Sequence, residues 1–591
     1  EMSASLVGSE MCIRDRFSTV ENARQALMGC YGYMSADNAY GQAWQEVTFG
    51  YCGFGWSQTN GSSTDLLVSM DGGIDETINT MAWRGMYKVI GETNAFIANI
   101  ADSPLESADK LPMEAAARFL RALAYYNLAV TYGDVPLKTT PSAHDGVAVP
   151  RSPKNEVFEL VRTDWEFAYE NLPEKDDDGF ATKWAAKAYL GKLYHTLGCQ
   201  GDNTAWEKAK ACFDEVMPKY RLADKFSDLF VDYVQGSPES IFQLNFALAG
   251  STTRNRGSWL VAPNGSCNGQ AWDRIRASKA LYDYFLATYP GDPRIESTFL
   301  TYWKSYAGVG KGEKPKEEPI ASARDTVYAY PYFTYTIEGE EKPAGWKKPK
   351  LYVGRIPYEK LADPASPKAE ELYAMIADTA TATPAEKGYL KGLLSLLENA
   401  TKKPSTNTKS WPYFKKPWDP EQSGNNSHKN LILYRYADML LMAADVYNEL
   451  GQTDKAITLA NEVLKRARQS GNASQPADWK SGLSKEQVRE KIYFERIFEG
   501  AGEPEMYQKM RLRGTELLKK AFEVNNGHGI IQESVANNPK GNGNWGERIF
   551  NDGNLNDENF LKKNLLLPVP KDEIDTNSAL DYSDNNYGYT N

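Results

Sequence analysis

MEAAARFLRALAYYNLAVTYGDVPL, residues 113–137, is the stretch on which the reading of the fold turns. Ala116, Phe119, Leu120, Leu123, Asn127 and Val130 recur at the spacing of one helix face, so an amphipathic helix is expected over 113–132. Pro112 suits a first helical turn, where its missing N–H is no loss. Gly133 can take a left-handed conformation past the last turn, and Pro136 blocks resumption.

Outward from this helix the pattern repeats. Residues 155–172 read as a second helix, with Asn155 as its cap and its end before Pro173. Around 190–216 the chain carries Leu190-Gly191, Tyr194, Gly198, Ala209, Phe213 and Val216. Around 442–463 it carries Ala444, Tyr447, Gly451, Ala456, Ala460 and Val463. Both follow the tetratricopeptide pattern of small residue, aromatic, turn glycine and further small residues, where two helices must approach closely. Gly191 and Ala444 are expected at those helix contacts. A further helix is expected over 485–500, with Ser484 and Gln487 placed as a capping box.

Residues 250–428 differ in kind. Gly, Pro, Tyr and Trp are frequent, Lys-rich runs such as KPKEEP look like solvated loops, and Thr326–Tyr335 reads as a short β piece. The fold class expected is mostly α, with tetratricopeptide-like helix pairs and a long, irregular, loop-rich insertion holding minor β structure. Long ordered loops on a rigid frame are where binding function concentrates.

Bulk composition narrows the function. The formal net charge is -11, from 67 basic and 78 acidic residues, which argues against a nucleic-acid partner. The chain holds 14 Trp, 35 Tyr and 22 Phe, and those in loop-like segments point to a binding surface. Six cysteines, Cys12, Cys30, Cys52, Cys199, Cys212 and Cys267, do not make a disulfide framework in a chain of 591 residues. His144, His195, His428 and His528 are too scattered to suggest a metal site, and no cofactor is expected. No apolar run is long enough to span a bilayer.

Residues 1–16, EMSASLVGSEMCIRDR, have no signal-peptide core, and Ser9-Glu10-Met11 ahead of Cys12 is wrong for a lipobox. EMCIRDR resembles a translated library adaptor, so 1–16 is expected to be a sequence artefact, with the native start and any export signal missing. The remaining chain is divided into 17–230, an N-terminal helical region, and 231–591, a C-terminal region containing the excursion 251–428.

Catalytic motifs are wanting. There is no HExxH, GxSxG or Walker A pattern, and GVGKG at 308–312 has the wrong spacing for phosphate. Asp176–Asp178 with Gly179 lacks the alternation of a calcium loop and reads as a solvated turn. No enzyme activity is expected.

Five segments carry a family resemblance: FLRALAYYNLAVTYGDVPL (119–137), WRGMYKVIGETNAFI (83–97), 151–194, LYRYADMLLMAADVYNELGQTDKAITLANEVLKRAR (433–468), and the tail 566–589. In this order they resemble the SusD/RagB family of outer-membrane nutrient-binding lipoproteins. Pro504, Met506, Lys509 and Ser578 depart from that pattern and put the packing of the late helices in question. The resemblance implies a SusD-like fold and a non-enzymatic role at the cell surface of the outer membrane, tethered by an N-terminal lipid missing from this sequence. It implies an oligosaccharide ligand handed to a SusC-like TonB-dependent transporter. The alternative is a RagB-type protein binding peptide or another nutrient. A tetratricopeptide adaptor for protein partners is disfavoured, because it needs no loop tryptophans.

A glycan site needs aromatic faces for C–H stacking beside polar groups for hydroxyls. GFGWSQTNGSSTD (53–65) offers Trp56, Asn60 and Asp65. The excursion offers Trp259, Trp272, Trp303 and Tyr306, with Arg256 and Asn268 nearby. Trp272 equally suits an anchor for a helix over 277–287. Trp83 and Trp184 fall at core spacing and belong to the scaffold.

Overall fold

The structure is a computed structural model. It describes residues 17–57, 70, 72–141, 148–176, 179–231, 237–246, 254–304, 326–329, 333–336, 350–353, 412–526 and 549–589. Asn60, Asp65, Tyr306, residues 1–16 and the 308–312 glycine run lie outside these.

The first half is a stack of helices. α1 (Val20–Met34), α2 (Thr77–Ala101), α3 (Ser107–Tyr132), α4 (Lys154–Asn171), α5 (Lys183–Cys199) and α6 (Ala205–Val216) follow in order, with neighbours packed together. α3 is the expected central helix, but it starts at Ser107, so Pro112 lies inside it rather than in its first turn. Nor is it amphipathic: every residue from Phe119 to Tyr132 is buried. The expectation of a solvent-facing stripe fails because α2, α4 and the chain's own tail surround it.

Burying so many helix faces requires polar side chains to find partners. Arg121 of α3 grips Asp164 of α4 through Nε and Nη2, both at 2.8 Å, and donates to Asn94 Oδ1 of α2 at 2.8 Å. One guanidinium thus locks three helices together. At the end of α3, Gly133 takes φ 75, and Leu567 N–H donates to Thr131 O at 2.9 Å. Asn586 Nδ2 donates to Tyr132 O at 2.8 Å. The tail motif therefore caps a helix more than four hundred residues upstream.

α4 begins at Lys154 with Pro153 at its cap position, two residues before the expected cap Asn155. The expected helix pairs are present. A Cβ built on Gly191 of α5 would lie 2.5 Å from Phe213 Cε1 of α6, so only glycine allows this approach. The turn glycine of that pair is Gly201, at φ 105, whereas Gly198 stays helical against Trp206.

After the excursion, helices dominate again. α7 (Gly257–Val261) and α8 (Lys279–Thr288) precede α9 (Tyr436–Glu449) and α10 (Thr453–Gln469), which form the second pair, turning at Gly451 with φ 79. α11 (Lys485–Gly500) carries the expected Ser484–Gln487 capping box. α12 (Met506–Arg511) holds Met506 and Lys509, two of the four residues that departed from the family pattern. Met506 is buried and Lys509 Nζ reaches Asp438 at 3.3 Å, so the packing there is sound.

Strands are minor, and every ladder among the described residues has two strands. β1 (Gly55–Ser57) pairs antiparallel with β3 (Ile275–Ala277), and β2 (Ser240–Leu244) with β4 (Leu431–Arg435). The β piece expected at Thr326–Tyr335 appears as Thr326–Tyr328 and Phe333–Thr336.

Inside the second half, charge is buried in bulk. Arg435 contacts Glu239 at 2.9 Å, Glu499 at 2.7 Å and Glu503 at 2.7 Å. Arg294 contacts Asp292 and Glu499, both at 2.7 Å, and Arg466 joins Glu239 and Glu499. Burial alone would raise Glu503; Arg435 and Lys416 outweigh it and hold the carboxyl at about 2.

Candidate functional site

Most of the aromatic content belongs to the core. Trp44, Trp83, Trp165, Trp206, Trp303 and Trp479 are all buried. Trp184 is half-buried, with Lys219 Nζ 4.1 Å from its ring. Among the described residues one tryptophan is exposed, Trp272, at 37%.

Its neighbour is Trp259 on α7. The two rings stack with centroids 4.3 Å apart and planes 24° from parallel. The backbone builds this stack. Trp272 N–H donates to Trp259 O at 2.9 Å, Asp273 N–H to Ala262 O at 3.1 Å, and Arg274 N–H to Leu260 O at 3.0 Å. Asp273 accepts a φ of 54 to make the crossing. The pair is thus set by local chain geometry, with Trp272 ahead of α8 but turned outward rather than anchoring it.

Arginines flank the rings. The Arg274 guanidinium carbon lies 4.2 Å from the Trp272 centroid, and that of Arg256 lies 5.6 Å from the Trp259 centroid. A 4.3 Å stack leaves no room for a guanidinium between the rings, so Arg274 covers the outer face of Trp272. Arg256 covers Trp259 more loosely than Arg274 covers Trp272. Arg274 Nε is held by Glu46 Oε1 at 2.7 Å. Arg256 is held by Gln42 Oε1 at 2.8 Å and Asp37 Oδ2 at 3.1 Å.

The early loop arrives at the same place. β1 puts the Trp56 backbone directly opposite Arg276 of β3, four residues past Trp272. Asn268 is half-exposed on the preceding turn, its N–H donating to Pro420 O at 2.7 Å. A Cβ on Gly269 of that turn would come within 2.2 Å of Gly424 O, so glycine is required there. Arg256, Trp259 and Trp272 are thus in contact, Asn268 lies four residues before Trp272, and the Trp56 backbone joins the strand that follows Trp272.

Trp303 does not join them. It is 2% exposed and packs with Leu300, Ala329 and Tyr413, its ring 5.6 Å from that of Tyr413. The expectation of an exposed loop ring is corrected: pairing of Tyr302–Lys304 with Thr326–Tyr328 turns Trp303 inward. The sequence reading also missed Asp37, Gln42, Glu46 and Arg274. WDRIRA (272–277) signals Arg274, two residues from Trp272, but its partner Glu46 is remote in sequence.

Two cavities bear on the choice of site. A cleft of about 650 Å³, counting the solvent in its mouth, lies behind Asn255 and includes Gln45, Gln243, Asn430 and Phe230 in its lining. A broader groove of about 1230 Å³ runs between α1 and α2, but no tryptophan or arginine lines it. The aromatic face adjoins the first through Asn255, next to Arg256, and we assign the candidate site there.

One set of residues could hold a metal. His195 and Cys199, one turn apart on α5, and Asp445 of α9 place ligand atoms within 4.8 Å of one another. Asp445 Oδ2 is already shared by His195 Nε2 at 2.8 Å and Arg513 at 2.5 Å. A cation there would sit against the Arg513 charge, so the cluster works as an ion-pair joint between helix pairs. Burial pushes the His195 pKa below its ordinary value.

Comparison with known proteins matches this architecture. The SusD family model covers residues 238–589, more than half of the chain. The chain belongs to the SusD family. A second model, described as starch-binding associating with outer membrane, covers residues 29–195. The chain is 23% identical to SusD-like protein P2 of Formosa agariphila, over 97% of this chain and 93% of that one. A shorter stretch, 20% of this chain and 23% of its relative, is 33% identical to a SusD-like protein of Bacteroides ovatus. The crystal structure of a SusD homolog from Bacteroides thetaiotaomicron superposes with a TM-score of 0.69 at 17% identity, covering 98% of this chain and 99% of that one. A laminarin binding SusD-like protein superposes at 0.60, with 19% identity over 97% and 100% of the two chains. A structure with xylogluco-oligosaccharide superposes at 0.61, with 17% identity over 94% and 97%.

Proposed function

We propose that this SusD-family protein captures oligosaccharide at the cell surface, as an outer-membrane lipoprotein, and passes it to a SusC-like TonB-dependent transporter without altering it chemically. The observation that carries the reading is the exposed Trp272 stacked on Trp259, bordered by arginine and amide groups. The exposed edge of Trp272 and the more loosely covered Trp259 ring take up sugar C–H groups, while Arg256 and Asn268 supply hydrogen bonds for hydroxyls. The SusD-fold structures named for laminarin binding and for a bound xylogluco-oligosaccharide support the ligand class. The family description supports outer-membrane association. The buried carboxylates support a binding role over hydrolysis: Glu239 and Glu499 are paired with arginine inside the frame, and Glu503, which lines the cleft behind Asn255, is paired with Arg435 and Lys416.

The test is a glycan array followed by calorimetry on the best ligand with Trp272→Ala. Loss of one anchoring aromatic costs about 2 kcal/mol of binding, so affinity falls at least roughly tenfold. A variant that binds its glycan as tightly as the parent removes this face from the reading. An array on which only peptides bind turns the ligand class to the alternative.

A further inference from the structure

We propose that the oligosaccharide taken at the Trp259–Trp272 face is anionic, carrying uronate carboxylates or sulfate esters, and that Arg254 reads its charge. The proposal rests on this face being the glycan site, and its test separates the two claims.

Four arginines lie in the two segments that carry the indoles: Arg254, exposed; Arg256, over Trp259; Arg274, buried against Trp272; and Arg276, buried against Tyr413. Three are neutralised. Arg256 pairs with Asp37 at 3.1 Å, Arg274 with Glu46 at 2.7 Å, and Arg276 with Asp273 at 2.7 Å. Arg254 is exposed and makes no ion pair with any described residue. In a chain whose formal charge is -11, this leaves a local positive excess beside the exposed indole.

The backbone aims Arg254 at the site. Asn255 is buried and points inward, accepting from Gln45 Nε2 at 3.1 Å and from Gly257 N–H at 3.0 Å, and donating to Lys429 O at 2.8 Å. Asn255 is buried, whereas Arg254 before it is exposed and Arg256 after it is half-buried, so the side chains on either side of Asn255 leave away from its pocket. Arg254 therefore emerges beside Arg256, which already leans over Trp259. Arg256 is also incompletely used: its Nε is buried without a hydrogen-bond partner among the described residues, as is Asp37 Oδ1. A guanidinium presents a planar fork of donors that matches carboxylate and sulfate oxygens in pairs. A neutral sugar can accept hydrogen bonds from the same fork but brings no opposite charge to pair with it.

Calorimetry on the whole chain tests this with three probes: neutral laminari-oligosaccharides, oligogalacturonate and a sulfated carrageenan oligosaccharide. Each is run at low salt and at high salt, against the parent, Arg254→Gln and Trp272→Ala. The expected result is tighter binding of one anionic probe than of the neutral one, weakened by salt. The probe preferred, carboxylate or sulfate, names the group that Arg254 reads. Arg254→Gln should weaken that probe about three- to fivefold, the scale of an exposed charge contact, and leave neutral binding unchanged. Neutral binding that is lost in Trp272→Ala, with no anionic preference, overturns the charge proposal and leaves the site standing. Anionic binding that ignores Arg254→Gln also overturns it. If none of the three binds, the site reading falls and this proposal with it.

Discussion

Arg435 and Arg254 carry the same side chain into opposite surroundings. Arg435 is 2% exposed and surrounded by Glu239, Glu499 and Glu503. Arg254 stands in solvent with no ion pair to any described residue. In the interior a charge survives only when its partners replace the water it has lost, so the frame supplies several carboxylates for each guanidinium. At the aromatic face water still does that work, and a charge can be left for a ligand. The two tryptophans Trp303 and Trp272 show the same division, one at 2% exposure and one at 37%.

The largest expected effect comes from breaking the buried side of the comparison. Arg435→Ala removes the cation shared by Glu239, Glu499 and Glu503, leaving them to Arg466, Arg294 and Lys416, and should cost about 3–5 kcal/mol of stability. Denaturant melts measure it. A midpoint unchanged from the parent would mean that the network is solvated and that the contrast with Arg254 is false.

Next come the rings. Trp303→Ala opens a void in a small cluster and should cost about 3 kcal/mol. Trp272→Ala loses its stack on Trp259 and its contact with Arg274 and should cost about 1 kcal/mol, well short of the Trp303 loss. Thermal melts of the pair sharpen the comparison, and equal losses would dissolve it.

The smallest effect is graded with pH. Burial leaves the His195 pKa below its ordinary value of 6.5, so the unfolded chain binds that proton first and stability declines as pH drops below 6.5. Glu503 falls from an ordinary 4.5 to about 2, so its contribution is complete above 4.5 and is lost as pH falls toward 2. Asp438, Asp445 and Glu499 are lowered too, each by arginine against the opposing pull of burial. Glu495 works the other way, because burial raises it. The net expectation is acid lability that begins below about pH 6.5 and steepens below about pH 4.5. Stability that is flat from pH 7 to pH 3 would show that these groups do not hold the frame.

Much of the frame was readable residue by residue. The capping box at Ser484 and Gln487, the turn at Gly451 and the close approach at Gly191 are local rules, and each is found as expected. The site was readable only in composition. WSQTN and WDR announce aromatic residues beside polar ones, but exposure is a property of the partner strand, and Trp303 was lost to the core for that reason. The His195–Asp445 joint was equally invisible, since its members sit 250 positions apart.

What the sequence by itself determined is the helical frame and its family, because helix period, caps and turn glycines act within a few residues and survive any context. What only the tertiary structure decided is which rings and which charges face out. Asn255 turning inward sends Arg254 outward, and the crossing of 259–262 with 272–274 makes two separate indoles a single stack. Those outcomes depend on contacts between distant segments, and no periodicity in a single stretch of chain encodes them.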